Sequence, residues 1–598
     1  MILILGGTTE GRKAAEVIDE AGKPFFYSTK GDLQEIVCKN GSCIHGGMDC
    51  SVMTDFCHVN QIRLLIDAAH PFATQLHETV ARVAASMRLP AIRFERIFPP
   101  HDNDIVWCEN YNVAINKLET DGITNLLVLT GVQTMEMLRP YWQKHRCHFR
   151  ILPREESKVQ AEKEGFDPER LVFYDQEHTT EILLEQLHPQ AILTKESGIS
   201  GGFQQKVNAA RAQHVRIYAI QKPELPEGFI TVTGKHGLRK QVEHLLPDFF
   251  PLRSGYTTGS CATAAAKAAL LALLYGEEET DVTFSLPDGE IMELPIDSIR
   301  INAVSATASV IKDAGDDPDV TNRCPIVVTV QRADHEGIRF LQGKGVGRVT
   351  LPGLGIPVGD PAINKTPRMM ITNELSALYQ GGLDVTISVP NGDEIALRTF
   401  NPKLGVKDGI SIIGTSGIVM PFSSEAFIDA IRREVEVCIA VGSPRLVINS
   451  GAKSEKVVRK EYPSLSDQAF VHYGNFIGET LKIADELNIH DVTMGIMIGK
   501  AVKLAEGNLD THSHKVVMNK DFLKQLAADA DCSDEVSAII DQITLARELW
   551  EKLAPTDADR FFPAILSSCH QYCRKILPDG DLTILLIDEN NKIPYRIS

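Results

Sequence analysis

A run of four apolar residues leads into Gly6-Gly7-Thr8-Thr9-Glu10-Gly11-Arg12 and then into a helical stretch. Glycines after a first buried strand let a ligand approach the backbone, and free N–H groups at a helix start attract phosphate. The spacing is not Gly-x-Gly-x-x-Gly, and a tight strand-to-helix turn also calls for glycine, so the loop reads as a nucleotide cradle or as a turn. At the end of the second strand, where an adenosine ribose is read, stand Ser28, Thr29 and Lys30, with Asp32 two residues on. A lysine there neutralises a 2′-phosphate, which favours NADPH over NADH. Gly6, Gly7, Thr8, Thr9, Glu10, Ser28, Thr29 and Lys30 are the candidate cofactor contacts.

Two further strand ends carry chemistry. In "DAAHPFA", Asp67 and His70 are candidate polar anchors or proton donors. Alternatively, Asp67 caps the next helix and His70 packs in a turn. In "TKESGISGGF", Lys195 is surrounded by Ser197, Gly198, Gly201 and Gly202, whose backbone donors suit carboxylates. The other reading is a lysine whose stem lies on apolar surface and whose head reaches solvent.

Later in the chain, Thr257, Thr258 and Ser260 precede an alanine-rich helix, and Gly255 and Gly259 loosen the loop around Tyr256. This is helix-cap chemistry, and its N–H groups can also converge on an anion. Asp313, Asp316, Asp317 and Asp319 crowd into "KDAGDDPDVT", which does not fit an EF-hand. Such carboxylates want a cation, an amine or hydroxyls, so the turn is either solvated or a contact for the ammonium or ribose of S-adenosylmethionine. The glycine- and proline-rich stretch 343–371 is too long for an ordinary loop and holds Arg348, Lys365 and Arg368. Gly414-Thr415-Ser416-Gly417 is another strand-end turn, and Thr511, His512, Ser513 and His514 form a polar cluster. A histidine there caps structure more often than it catalyses.

The elements around these residues set the fold class. Up to about residue 245, short apolar runs ("ILIL", "PFFYS", "RLLID", "AIRFE", "LLVLT", "FRILP", "LVFY", "AILT", "RIYAI") alternate with amphipathic stretches. This predicts two linked α/β halves of parallel sheet covered by helices, with ligands in the cleft between them. "LLPDFFPLRSG" reads as a linker. From about 280 to 400, alternating runs with Pro-Asp-Gly and Pro-Asn-Gly corners predict β-hairpin structure, and helices return after about 405. The second part is thus an α+β unit followed by an α/β unit. With 61 basic and 79 acidic side chains among 598 residues, a net charge of −18 argues against nucleic acid or an anionic membrane as partner. The N-terminus reads as a strand rather than a signal peptide, and the most apolar helix falls short of the roughly 20 residues that span a bilayer. A cytoplasmic protein with reduced thiols is expected, without a metal site, since the twelve cysteines include no Cys-x-x-Cys pair.

"GGTTEGR", "DAAHPFA", "LTGVQT" and "TKESG…GG", in this order over about residues 1–245, resemble the precorrin-6A reductase family of corrin-ring biosynthesis. Ala69 departs from the threonine common there. The resemblance implies hydride transfer from a nicotinamide cofactor to a macrocyclic double bond, with two Rossmann-like halves, about 1–135 and 136–248. "SGYTTGSCA", "KDAGDDPDVT", "GKGVGRVTLPGL…PVGDPAIN", "NPKLGV", "GTSGIV" and "LDTHSH" resemble the cobalt-precorrin-5B C-1 methyltransferase family over 249–598, with Asp510 where asparagine is common. That implies methyl transfer from S-adenosylmethionine to a cobalt-precorrin, and reduction of the product by the first part. Because the methyl sulfonium is already electrophilic, no covalent nucleophile is needed and Cys261 reads as structural. Arg93, Arg96, Arg154 and Lys195 are candidate contacts for substrate carboxylates in one site, and Arg348, Arg368 and Lys403 in the other. The competing class is a tetrapyrrole- or nucleotide-binding scaffold; a homo-oligomer is left open.

Overall fold

A computed structural model describes residues 1–31, 36, 38–175, 179–512 and 516–598. The chain divides into two units: Met1–Pro251 with Gly289–Met292, and Leu252–Asp288 with Glu293–Ser598. Asp32, Ser513 and His514 lie outside the described residues.

The first unit holds two six-stranded parallel sheets. One contains β1 (Ile2–Leu5), β2 (Phe25–Thr29), β3 (Gly41–His45), β4 (Leu64–Asp67) and β5 (Ala91–Glu95). The other contains β6 (Ile105–Cys108), β7 (Asn125–Val128), β8 (Arg146–Ile151), β9 (Leu171–Phe173), β10 (Ala191–Lys195) and β11 (Arg216–Ile220). A final strand, β12 (Phe229–Thr233), returns to the first sheet, so the orders are β12-β5-β4-β1-β2-β3 and β6-β11-β10-β7-β8-β9. The halves therefore do not split near 135/136 as expected. β6 and β7 already belong to the second sheet, and the second lobe is inserted into the first. Strands such as β1 and β4 are buried on both faces, as helices on either side of a parallel sheet require.

In the first sheet the chain runs outward from β1 through β2 to β3, then crosses to β4 and β5 on the other side. The crevice at the carboxyl ends of β1 and β4 is thus a topological switch point, where such sheets bind ligands. The glycine loop and the Asp67–His70 segment leave the sheet there; Ser28–Lys30 leave the same edge beside them.

The second unit is centred on the helix Thr258–Tyr275, which is apolar and long enough to resemble a membrane span but is mostly buried inside the unit. Its alanines let a mainly antiparallel sheet approach closely, in the order Ser298–Ile301, Ser305–Ile311, Pro325–Ala333, Gly382–Ser388, Ile338–Gln342. The Pro-Asn-Gly corner at 390–392 does not make a hairpin. Asn391, at φ +61°, starts a short helix, Gly392–Ala396, whose first turn carries Asp393 and Glu394. The C-terminal part is an α/β layer with a sheet ordered Phe470–His472, Leu446–Asn449, Val492–Met497, Leu582–Ile587, Tyr595–Ile597; only the last pair is antiparallel.

Candidate functional sites

The glycine loop is first a packing device. A Cβ on Gly6 would lie 2.3 Å from the Tyr27 ring, and the Gly7 amide donates to the Tyr27 hydroxyl at 3.1 Å. Gly7 adopts φ +92° with open space around it, so it is the point where a ligand can meet backbone. Thr8 caps the helix Thr9–Asp19 by accepting from the Gly11 amide, and donates to the Ala68 carbonyl at 2.6 Å, tying β1 to β4. Glu10 is buried. Its carboxylate accepts from Arg96 Nε at 2.8 Å and from Ser200, while Arg96 Nη1 donates to the Ser197 carbonyl at 2.8 Å. Glu10 and Arg96 therefore latch the two lobes. Thr29 donates to the Gly31 carbonyl at 2.7 Å, and Ser28 is buried. Thr9 meets Arg12 on the helix surface, and Lys30 stands exposed at the end of β2.

Asp67 is fully buried and cannot donate to a substrate. Its carboxylate accepts from Arg93 Nη1 at 2.9 Å and the Ala69 amide at 3.0 Å, and pairs with His77 Nδ1 at 2.5 Å. Burial would raise its pKa, but the His77 bond and the Arg93 charge outweigh that and hold it below the usual value. His77 Nε2 in turn reaches the His70 and Pro71 carbonyls. Asp67 thus orients the loop that presents His70.

His70 Nδ1 accepts from the Phe72 amide at 3.2 Å, which leaves the proton on Nε2. Burial, then the charges of Arg96, Lys195, Arg93 and Lys206, lower its pKa to about 3. It is a neutral hydrogen-bond donor at pH 7, not an imidazolium acid. Lys195 lies 5.1 Å from the Phe72 ring centre, and burial lowers its pKa. Lys206, in the first turn of the helix Phe203–Ala212, is lowered to about 8 by burial, then by Arg150, Lys195 and Arg96. Among the described residues neither lysine has a carboxylate or other acceptor. Arg150, 6% exposed, stacks 3.9 Å from the Tyr174 ring, donates to Thr180, and keeps its Nε without a partner. Desolvated cations with no counter-charge are unfavourable unless an anion completes them.

Lys206 and Arg150 were not singled out from sequence. The available signals were a cation in the middle of the buried strand "FRILP" and one four residues after the second of two glycines. Of the other basic candidates in this unit, Arg93 pairs with Asp67 and Glu95 inside the sheet and Arg96 with Glu10; Arg154 sits exposed before the helix Glu155–Lys163.

In the second unit three motifs meet in one knot. Gly255–Tyr256 pairs antiparallel with Ile418–Val419, and the Tyr256 amide donates to the Asp313 carbonyl at 2.7 Å. A Cβ on Gly255 would lie 2.0 Å from the Ala314 carbonyl carbon. Thr257 caps the helix through the Ser260 amide, Thr258 accepts from the Ile413 amide at 2.9 Å, and Ser260 donates to the Gly417 carbonyl at 2.6 Å. Gly259 donates to the Ile413 carbonyl at 2.9 Å, and Gly414 crowds Thr257. The acidic turn is equally occupied: Arg253 binds Asp316 and lies 3.7 Å from Asp313, Asp317 accepts from the Phe422 amide at 3.2 Å, and buried Lys312 meets Asp319 at 2.7 Å.

At the knot's rim stand Thr415, which reaches Asp429 at 3.5 Å, and the exposed side chains of Ile413 and Phe422. Burial pushes the Cys261 thiol up to about 12, as an inert core cysteine requires. Arg348 is bound to Gln342 and the Gly359 carbonyl, Arg368 to backbone carbonyls, and Lys403 to Glu434 at 2.7 Å, so these cations serve the fold. His512 lies apart from the knot, its amide donating to Asp510, while Thr511 donates to the Asn475 carbonyl at 3.0 Å.

Residues 1–242 match the family model "Precorrin-6x reductase CbiJ/CobK", 247–421 match "CbiD", and 510–597 match "CbiD, C-terminal domain". The cobalt-precorrin-5B C(1)-methyltransferase of Prosthecochloris aestuarii is 44% identical over 345 residues, covering 56% of this chain and 94% of that one. This chain belongs to that methyltransferase family. The methyltransferase of the same description from Geobacillus kaustophilus is 43% identical, over 56% of this chain and 91% of its own. Its N-terminal segment, matched by the reductase model, aligns with a solved CobK precorrin-6A reductase at 20% identity and TM-score 0.35, covering 42% of this chain and 98% of that one. A segment that matches the reductase model stands in front of one that spans over nine-tenths of these two methyltransferase relatives.

Proposed function

We propose that this chain carries out two consecutive steps of corrin-ring synthesis. Residues 249–598 transfer a methyl group from S-adenosylmethionine to C-1 of cobalt-precorrin-5B. Residues 1–248 then reduce the product, cobalt-precorrin-6A, to cobalt-precorrin-6B with a reduced nicotinamide nucleotide, NADPH in preference to NADH. The observation that carries the reductase reading is the pair of buried lysines beside neutral His70, Lys195 and Lys206, which have no carboxylate partner among the described residues, with the open Nε of Arg150 close to Lys206. A macrocycle bearing many carboxylates supplies the counter-charge they lack.

The nicotinamide, when bound, supplies the hydride. Open backbone at Gly7 and the exposed Lys30 suit its phosphates, whereas Thr8, Glu10, Ser28 and Thr29 shape the loop behind them. Lys195 and Arg150 hold substrate carboxylates, His70 Nε2–H donates to the substrate, and Lys206 carries a proton that it can release near pH 8. Asp67 acts through His77 as a positioning residue. In the methyltransferase the knot fixes the loop, and Tyr256, Thr415, Ile413 and Phe422 at its rim are the surface for the ring; His512 stands as a polar contact. Tethering the two enzymes raises the effective concentration of a labile intermediate at the second site. All twelve cysteines are free, which suits a reducing cytoplasm.

The test is incubation with cobalt-precorrin-5B, S-adenosylmethionine and each reduced nicotinamide, followed by mass spectrometry. The expected product gains one methyl and then two hydrogens, faster with NADPH. No methyl gain, where a known methyltransferase gives it, rejects the methyltransferase reading; a methylated product that never gains hydrogen rejects the reductase reading.

A further inference from the structure

We infer that S-adenosylmethionine binds in the C-terminal α/β layer, in a crevice away from the threonine knot; this rests on the methyltransferase reading above. The chain enters that sheet at Leu446–Asn449, moves outward to Phe470–His472, then crosses to Val492–Met497 on the other side. The carboxyl ends of Leu446–Asn449 and Val492–Met497 therefore flank a second switch point, the place where open parallel sheets receive ligands.

A cavity of about 340 Å³ lies there, a volume suited to a small cofactor and too small for a four-ring macrocycle. Met497 and Leu545 give it apolar walls for a flat base. Ser450, Arg547 and Glu589 supply a hydroxyl, a cation and an anion, a combination that suits an adenosyl amino acid with its hydroxyls, carboxylate and ammonium. A pyrophosphate would meet the Glu589 carboxylate. Gly499 opens the helix Ile498–Ala505, and a Cβ placed on it meets nothing within 4 Å, so the wall at this residue is empty space.

A series of contacts leads from the crevice toward the proposed ring surface. Lys500, in the crevice lining, donates to the Gly474 carbonyl and to Asn475 Oδ1 at 2.6 Å. A Cβ on Gly474 would touch the Phe427 ring at 2.9 Å, and Phe427 is two residues from Asp429, which faces Thr415 on the knot. The helix Ser424–Ala440 carries both Phe427 and Asp429.

The experiment titrates full-length protein with S-adenosylmethionine by calorimetry, comparing wild type with Gly499→Leu and Glu589→Gln. Gly499→Leu fills the crevice at a position free of backbone strain and of neighbours, and is expected to weaken binding about tenfold or more without lowering the melting temperature. Glu589→Gln is expected to weaken it several-fold. Wild-type affinity in Gly499→Leu overturns the crevice assignment while leaving the methyltransferase reading intact. No binding by the wild-type protein overturns both.

Discussion

In the first unit Lys195 and Lys206 lie buried near one another with no carboxylate partner among the described residues, and the Nε of Arg150 close by makes no hydrogen bond. In the second, Thr257, Thr258, Ser260, Asp317 and Asp319 each close a bond inside the protein. Both regions are dense in polar motif residues, yet the first is electrostatically incomplete and the second is complete. The proposed substrate contacts would complete the first region, because a fold alone gains nothing from an unpaired desolvated cation. The knot's motif is instead the price of a sharp crossing of three segments.

The largest effect that separates the two regions is expected from Gly255→Val. The new side chain meets the Ala314 backbone, which cannot yield, so the second unit is expected to lose its cooperative thermal transition and methyl transfer, a penalty of about 3 kcal/mol or more. Reduction by the first unit should persist. A normal transition would break the description of the knot.

Lys206→Met should do the reverse. Reduction is expected to fall about 100-fold in kcat/KM, since a desolvated charge contact to substrate is lost, while the melting temperature of the first unit rises. Unchanged turnover or a lower melting temperature would assign Lys206 to the fold. The same residue gives a pH signature. Its folded pKa of about 8 lies below the ordinary lysine value of 10.5, so between these values the unfolded chain binds more protons and stability rises with pH. Below about pH 8 the full destabilisation is present. Denaturant melts should show a steeper rise in the wild type than in Lys206→Met.

Thr257→Ala removes a cap and is expected to cost about 1 kcal/mol of stability in the second unit while leaving S-adenosylmethionine affinity unchanged. Weaker affinity with no stability loss would return the threonine to the cofactor. The smallest effect is Lys30→Ala, expected to weaken NADPH about threefold and NADH not at all, as an exposed charge pair allows. Equal losses would remove Lys30 from the 2′-phosphate.

Each of the nine apolar runs read from the first unit lies on a strand. β3, β6 and β12 escape the apolar-run reading because all three are edge strands, and β3 and β12 have no fully buried residue. The insertion of one lobe in the other was hidden because β12 differs from its neighbours in pairing, not in composition. Strand ends told where Lys195 and His70 would stand. They could not tell that Asp67 would be enclosed by Arg93 and His77, since an ion pair across two strands leaves no periodic trace. The threonine loop announced a helix cap, which it is, but its remaining bonds go to residues more than 150 positions away.

The return of β12 also governs how the chain matures on the ribosome. Ile2 and Ile4 share their core with Leu238, Val242, Phe249 and Phe250, so the lobe that begins translation is the last of the pair to be finished. The inserted lobe, contiguous from β6 to β11, can close while the nascent N-terminus still presents apolar strands. Release of a shortened chain before Phe250 would therefore leave a folded second lobe attached to an unsatisfied first one, a species prone to association.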